Sequence, residues 1–270
     1  MAGLSVVKDT TAGTAVGRDS PRDPWHTRAM ATFALVHGSM HGGWCWRDLV
    51  PELERRGHRT IAPDLPCEDV DAGISEYASV VESALDAAGV GARDPGGSGD
   101  DVVFVGHSLG CRTIPVLANG RPGSRLVFLC SVPTGPAAVD PASFAGMVTP
   151  EFNAAEIEVR ADGARRMAAE SAKRVFFHDC DEATASWAAS RLRWQGPRPL
   201  AEPMPFESWP DVLAQVILTQ DDRAVRLEWA MAEASRWLDG REPVLLPGSH
   251  SPFFSRPAEL AEELVAFAAS

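Results

Sequence analysis

The chain has 270 residues, of which 45% are hydrophobic and 23% charged, and its formal net charge is −12. This length suits one large α/β domain or two small ones, and it allows a core that needs no disulfides. The acidic balance argues against nucleic acid as a partner, because phosphate binding needs a basic face. No apolar run is long enough to span a membrane.

The cysteines and the N-terminal residues indicate the cellular compartment in which the protein is expected. The five cysteines include no C-x-x-C pair, which favours reduced thiols in a cytoplasmic protein over a disulfide framework. Because cysteines and histidines show no ligand spacing, we expect neither a metal nor an organic cofactor. The apolar run 4–7 is too short for a signal peptide. Residues 1–29 show little periodicity and are predicted to form a disordered tail.

From residue 31 onward, the chain alternates short apolar runs with amphipathic segments. Strands are predicted at 32–36, 59–62, 102–105, 126–130, 216–218 and 244–246. Helices are predicted at 44–56, 75–90, 109–119, 225–238 and 257–269, with a surface loop at 91–101. Ser75 is the expected cap of the second helix, and Pro115 is expected to kink the third. This alternation predicts an α/β fold, a mostly parallel sheet of about six strands with helices on both faces.

The segment 133–209 interrupts the alternation. It shows helical patterns and no strand pattern, and it lies between the fourth and fifth strands, where a compact domain normally has a short connection. We interpret it as a helical cap over the C-terminal edge of the sheet, inserted into a core formed by 30–132 and 210–270. Two or three of its apolar side chains should line a substrate cavity, and the others should pack internally. These side chains are Phe144, Met147, Phe152, Met167, Phe176, Phe177, Trp187 and Trp194.

The pentapeptide Gly106-His107-Ser108-Leu109-Gly110 follows the third predicted strand and precedes a helix. A serine on such a turn presents its hydroxyl at the C-terminal edge of a sheet, in a backbone conformation that L-residues disfavour. The two glycines let the strand and the helix approach closely. The pentapeptide alone is equally consistent with an ordinary tight turn, so a reactive serine also requires a base, an acid and an oxyanion hole.

Of seven histidines, only His250 follows the last predicted strand, in a loop at the edge where ligands bind in open α/β sheets. Its alternative interpretation is a solvated loop residue. Asp221 and Asp222 follow the fifth strand at the same edge, and either could orient the histidine. We favour Asp222, since Asp221 is the candidate acidic cap of the following helix. The order serine, aspartate, histidine is the one expected of α/β-hydrolases.

Two backbone N–H groups should form the oxyanion hole. Leu109, directly after the serine, supplies one, and Ser39, in the glycine-rich loop after the first strand, is nominated for the other. Gly38 lets this loop approach the substrate. His41 and His37 are expected to support the loop rather than to react.

Four ordered motifs carry a family resemblance: HGSMHGGWCW at 37–46, the pentapeptide GHSLG, TQDD at 219–222 and GSHSPFFSRP at 248–257. Over residues 32–270 the chain resembles the α/β-hydrolases, in the branch of plant methylesterases and hydroxynitrile lyases. Thr219 stands where many relatives have glycine, while Asp222 matches their acid. The lyases have a lysine directly after the histidine and a threonine in the first loop. This chain has Ser251 and Gly38 there, so cyanohydrin cleavage is not expected.

These observations predict a carboxylic ester hydrolase that acts on a small to medium, weakly polar ester through an acyl-enzyme. Ser108 would be the nucleophile, His250 the base and Asp222 the acid that orients it. The expected partner is a small-molecule ester, with no nucleic acid and no membrane, and the oligomeric state is left open. One alternative is a non-hydrolytic small-molecule binding protein on the same scaffold. Another is lactone opening or acyl transfer by the same residues.

Overall fold

The structure is a computed structural model of the chain. It describes residues 30–91, 100–135, 137–139, 141–206, 208–238 and 241–270. The predicted tail 1–29 and residues 92–99 of the predicted surface loop lie outside these ranges. Within them, no helix is both long and apolar enough to cross a lipid bilayer.

The described residues contain eight strands, six of which form one parallel sheet. The strands are β1 (Ala31–Val36), β2 (Arg59–Ile61), β3 (Asp101–His107), β4 (Arg125–Leu129), β5 (Ile157–Val159), β6 (Arg165–Met167), β7 (Ala214–Thr219) and β8 (Val244–Leu246). The parallel sheet has the order β2-β1-β3-β4-β7-β8, and β5 pairs only with β6. The predicted α/β class and all six predicted sheet strands are confirmed.

Helices cover both faces of this sheet. In the described ranges they are α1 (Leu49–Arg55), α2 (Ile74–Ala87), α3 (Ile114–Gly120), α4 (Pro141–Met147), α5 (Pro150–Asn153), α6 (Ala169–Phe176), α7 (Glu182–Ala189), α8 (Arg198–Ala201), α9 (Leu227–Trp237), α10 (Pro252–Ser255) and α11 (Pro257–Ala268). Two 3₁₀ helices, Gly43–Trp46 and Ser108–Arg112, precede α1 and α3.

Each central strand is buried on both sides. In β1, Phe33 and Leu35 pack into the layer that contains α1 and α11, while Ala34 and Val36 pack into the layer that contains α2, α3 and α9. Successive side chains of a strand point to opposite faces. Both faces therefore need apolar residues, which explains why these strands are continuous apolar runs in the sequence.

The first two helices begin differently from the prediction. The helix expected at 44–56 is divided into a 3₁₀ helix and α1, which begins only at Leu49. In α2 the N-cap is Gly73 and not Ser75. Glu76 accepts a hydrogen bond from the Gly73 N–H at 2.7 Å, and Glu202 accepts one from the Ile74 N–H. These two carboxylates replace the serine cap that the sequence suggested.

The predicted kink at Pro115 is wrong. The helix expected at 109–119 begins as a 3₁₀ helix, and α3 itself starts at Ile114, so Pro115 lies in its first turn. The N–H groups of a first turn have no partner within the helix, and a proline there costs no hydrogen bond.

The segment between β4 and β7 contains α4 to α8 and the antiparallel hairpin of β5 and β6, in which Ile157 pairs with Met167. The expectation of an insertion without strands is therefore wrong. Three of their six residues, Glu158, Arg165 and Arg166, are charged, so these strands lack the apolar run that marks a buried strand in the sequence. The extent of the cap, residues 133–209, stays a prediction.

Candidate active site

Ser108 lies on a strained turn at the carboxyl end of β3, where the strand passes into a 3₁₀ helix. Its φ is 50°, in the left-handed region that residues with a β-carbon rarely adopt. Such a conformation costs on the order of 1–3 kcal/mol and persists only where the surroundings enforce it. The turn therefore has the geometry that the pentapeptide predicted.

The two flanking glycines are required by close packing. A β-carbon on Gly106 would lie 2.9 Å from the backbone nitrogen of Cys111, and one on Gly110 would lie 2.5 Å from the carbonyl oxygen of Val36. Both distances are shorter than van der Waals contact, and the atoms approached belong to the backbone, which cannot rotate away. Glycine at these positions lets the 3₁₀ helix lie directly against β1 and β3.

The ring of His250, in the loop after β8, is fixed by Asp222. His250 Nδ1 donates to Asp222 Oδ2 over 2.7 Å, and the two side chains are only 3% and 5% exposed. Because a carboxylate can only accept a hydrogen bond, the proton resides on Nδ1. Nε2 is left with a lone pair and can accept a proton.

Asp222 uses both carboxylate oxygens. Oδ1 accepts hydrogen bonds from the N–H groups of Ala224 at 2.7 Å and Val225 at 2.9 Å, while Oδ2 faces His250. Asp221 points elsewhere and accepts from the Gly248 N–H over 3.3 Å. The expectation that Asp221 caps the following helix is therefore wrong, because Asp222 itself closes this turn.

His107, the neighbour of Ser108, contacts the proposed base His250. Among the described residues, the structure contains no hydrogen bond between Ser108 and His250. The adjacent His107 ring lies 4.8 Å from the His250 ring, centroid to centroid, and its Nε2–H donates to the His250 carbonyl oxygen over 2.9 Å. The hydrogen bond between a nucleophile and its base is often long in a free enzyme and tightens only when substrate binds. The sequence did not suggest this contact of His107.

The loop after β1 lies against the serine. A β-carbon on Gly38 would lie 3.0 Å from the β-carbon of Ser108, so this position requires glycine. The backbone N–H of Ser39 has no hydrogen-bond acceptor within the described residues. Leu109 is the second residue of the 3₁₀ helix, and the first N–H groups of a helix lack internal acceptors. Both nominated amides thus belong to segments next to Ser108.

His37 and His41 shape this loop. His37 Nε2 accepts the N–H of Leu65 over 3.0 Å, and His41 Nδ1 donates to the Ser39 carbonyl oxygen over 2.7 Å. Burial lowers the pKa of His37 to about 4 and that of His41 to about 3. Both rings are neutral at pH 7 and engaged in hydrogen bonds, which agrees with a supporting role.

One group of side chains has the composition of a metal site. His107, Cys130 and His250 place potential ligand atoms within 4.8 Å of one another. One ring nitrogen of each histidine is already hydrogen-bonded, His250 Nδ1 to Asp222 and His107 Nε2 to the His250 carbonyl oxygen. Burial raises the pKa of the Cys130 thiol, which keeps it protonated. We assign no metal to this group.

Comparison with known proteins places the chain in a family. A model of the Alpha/beta hydrolase family matches residues 33–263. The chain belongs to this family. Over 246 residues the hydrolase is 28% identical to a pyrethroid hydrolase of Sphingobium wenxiniae. This alignment covers 87% of this chain and 86% of that protein. Over 81 residues it is 38% identical to methylesterase 9 of Arabidopsis thaliana, covering 30% of this chain and 31% of that protein.

Solved structures agree with this membership. The crystal structure of a pyrethroid hydrolase from Sphingobium faniae matches with a TM-score of 0.73 and 26% identity, covering 89% of this chain and 98% of that one. The resemblance carried by the four motifs is confirmed, and so is the prediction of an esterase-type hydrolase. The roles of Ser108, Asp222 and His250 stay predictions, for which the geometry above provides the argument.

Proposed function

We propose that this hydrolase cleaves small to medium, weakly polar carboxylic esters through an acyl-enzyme on Ser108. The observation that carries the proposal is the buried hydrogen bond of 2.7 Å between His250 and Asp222, at the same sheet edge as a serine with a φ of 50°. The parallel sheet order brings the ends of β3, β7 and β8 to one edge, which is where open α/β sheets bind ligands.

The reaction would follow from this arrangement. His250 Nε2 takes the proton of the Ser108 hydroxyl, and the serine oxygen attacks the ester carbonyl. The N–H groups of Ser39 and Leu109 stabilise the tetrahedral oxyanion. His250 then protonates the leaving alcohol and activates a water molecule that releases the acid. Asp222 holds the ring throughout and stabilises its charged form.

A row of phenylalanines supports a weakly polar substrate. Phe176 lies 5.5 Å from the His250 ring, Phe152 lies 6.5 Å from Phe176, and Phe144 lies 6.1 Å from Phe152, all between ring centroids. These rings come from α6, α5 and α4 of the proposed cap, residues 133–209. An apolar wall beside the base favours an ester whose acyl or alcohol group is apolar.

We also propose a cytoplasmic location. All five cysteines are free thiols, and four of them are buried, as expected for a protein that folds in a reducing compartment.

The test compares wild type with Ser108→Ala on a panel of p-nitrophenyl and aryl methyl esters. We expect Ser108→Ala to lower kcat on the order of 10⁶-fold, as in other serine triads. Ser83→Ala, on the exposed surface of α2, is the matched control and should retain wild-type kcat. Equal, slow hydrolysis of every ester by wild type and Ser108→Ala would exclude the proposal. Product analysis separates hydrolysis from acyl transfer.

A further inference from the structure

The end of α6 and the turn after it contact both loops that carry the proposed acid and base. Asp179 Oδ2 accepts a hydrogen bond from the Ser249 N–H over 2.9 Å, and the Phe176 carbonyl accepts one from the Ser249 hydroxyl over 3.0 Å. His178 Nε2 donates to the Asp221 carbonyl over 2.9 Å. One short segment, residues 176–179, thus holds the residue before His250 and the residue before Asp222.

The Ser249 N–H is buried and depends on the Asp179 carboxylate as its acceptor. Ser249 is fully buried, so its N–H depends on Asp179 as acceptor, and a buried N–H without an acceptor is costly. Partial burial raises the pKa of Asp179, but hydrogen bonds from Ser249 and Ser255 and the nearby His178 outweigh this effect and hold the pKa below its usual range. The side chain is therefore an anionic acceptor at neutral pH.

Gly248 leaves the space for this carboxylate. Its φ of 110° is in the region that favours glycine, and a β-carbon there would lie only 2.5 Å from Asp179 Oδ2. A side chain at position 248 would push the carboxylate away from the Ser249 N–H. Gly248 and Asp179, which are 69 positions apart in the sequence, therefore fit together only because residue 248 is a glycine.

We propose that Asp179 is a positioning residue for His250. The inference rests on the proposed function, since it concerns the same base. Asp222 fixes the ring of His250, and His107 holds its carbonyl oxygen. Asp179 adds a third hydrogen bond, to the backbone N–H of the residue directly before His250. Asp179 lies in the insertion between β4 and β7, not in the sheet. Catalysis depends on such positioning contacts, because a displacement of a reacting group by about 1 Å can lower a rate about 10²-fold.

The test uses the full-length chain and three variants. Asp179→Ala removes the acceptor, and Asp179→Asn keeps an acceptor oxygen. The control is Asp181→Ala. Asp181 caps α7 by accepting the Thr184 N–H over 2.8 Å, so its loss weakens the insertion without touching the loop of His250. The measurements are kcat and KM for p-nitrophenyl butyrate, the rate of Ser108 labelling by a fluorophosphonate, and the thermal midpoint of each variant.

For Asp179→Ala we expect kcat and the labelling rate to fall about tenfold while KM stays within about twofold, because the base is misplaced and substrate binding is not. Asp179→Asn should recover most of both rates. Asp181→Ala should keep wild-type kcat even where its thermal midpoint falls as far as that of Asp179→Ala. A purely structural role would lower the midpoints of both alanine variants and leave kcat unchanged.

The proposal is overturned if Asp179→Ala retains the kcat of Asp181→Ala, or if Asp179→Asn is as slow as Asp179→Ala. Should Asp179→Ala fail to fold, Asp179→Glu replaces it. Glutamate keeps the charge but shifts the acceptor by one methylene, so kcat should fall, and an unchanged kcat would overturn the proposal. Wild type that neither hydrolyses esters nor labels on Ser108 would overturn the proposed function and this inference together, whereas failure of the Asp179 variants alone affects only the inference.

Discussion

At the scale of single residues, the Asp222 carboxylate both stabilises a turn and orients the His250 ring. One oxygen closes the turn through the N–H groups of Ala224 and Val225, and the other holds His250. The turn thereby fixes the direction in which the second oxygen points. Asp221 has no such pair of contacts, since its carboxylate faces the Gly248 N–H.

Asp222→Asn is expected to lower kcat on the order of 10⁴-fold. The asparagine oxygen can remain on Ala224 and Val225, which places its NH₂ group against His250 Nδ1. This donor forces the histidine proton onto Nε2, and the ring can no longer take the proton of Ser108. Ester hydrolysis by Asp222→Asn and by Asp221→Asn, measured side by side, tests the assignment. A larger loss in Asp221→Asn would reverse it.

At the scale of secondary-structure elements, the elbow depends on how closely its 3₁₀ helix approaches β1. A β-carbon on Gly110 would lie 2.5 Å from the Val36 carbonyl oxygen and 2.7 Å from that of His37. Both atoms belong to backbone at the end of a central strand, which cannot move without disturbing the sheet. At the end of α3, by contrast, a β-carbon on Gly120 would meet nothing within 4 Å.

Gly110→Ala is expected to lower the free energy of unfolding by about 1–3 kcal/mol or more, through overpacking. The matched control Gly120→Ala should be neutral or more stable by up to about 1 kcal/mol, because alanine is the better helix former. Urea denaturation of both variants checks the prediction. Equal midpoints for the two would show that the close approach at Gly110 does not contribute to stability.

At the scale of the whole molecule, the site is surrounded by buried, neutral histidines. Burial lowers the pKa of His37 to about 4, that of His41 to about 3 and that of His107 well below its usual range. In the unfolded chain each ring has a pKa of about 6.5. Between these values the unfolded chain binds more protons than the folded protein does, so acid favours unfolding.

The free energy of unfolding should therefore fall as the pH decreases from about 6.5 towards 4, by on the order of 1–2 kcal/mol per histidine between pH 7 and pH 5. Above about pH 7.5 these rings are largely neutral in both states and add little pH dependence. Urea denaturation at pH 7 and pH 5 measures the difference, and His41→Gln should reduce it. A stability that does not change between pH 7 and pH 5 would contradict the low pKa values.

The sequence predicted most of the sheet and the elbow. The central strands are buried on both faces, so apolar runs such as 102–105 and 126–130 mark them without any knowledge of the fold. The turn at Ser108 was predicted for a similar local reason, since both flanking positions need glycine. The chain order of Ser108, Asp222 and His250 indicated the family that the comparisons confirm.

Other features depended on contacts between distant segments. The preference for Asp222 rested on a motif and on the expected capping role of Asp221, and only the folded loops show which carboxylate meets His250. The strands β5 and β6 are half charged and lack an apolar run, and nothing in the sequence connects Asp179 with Ser249. Periodicity and turn residues report whether a segment is buried and where it bends. Which loop ends meet depends on the order of strands in the sheet, and that order is decided by tertiary packing.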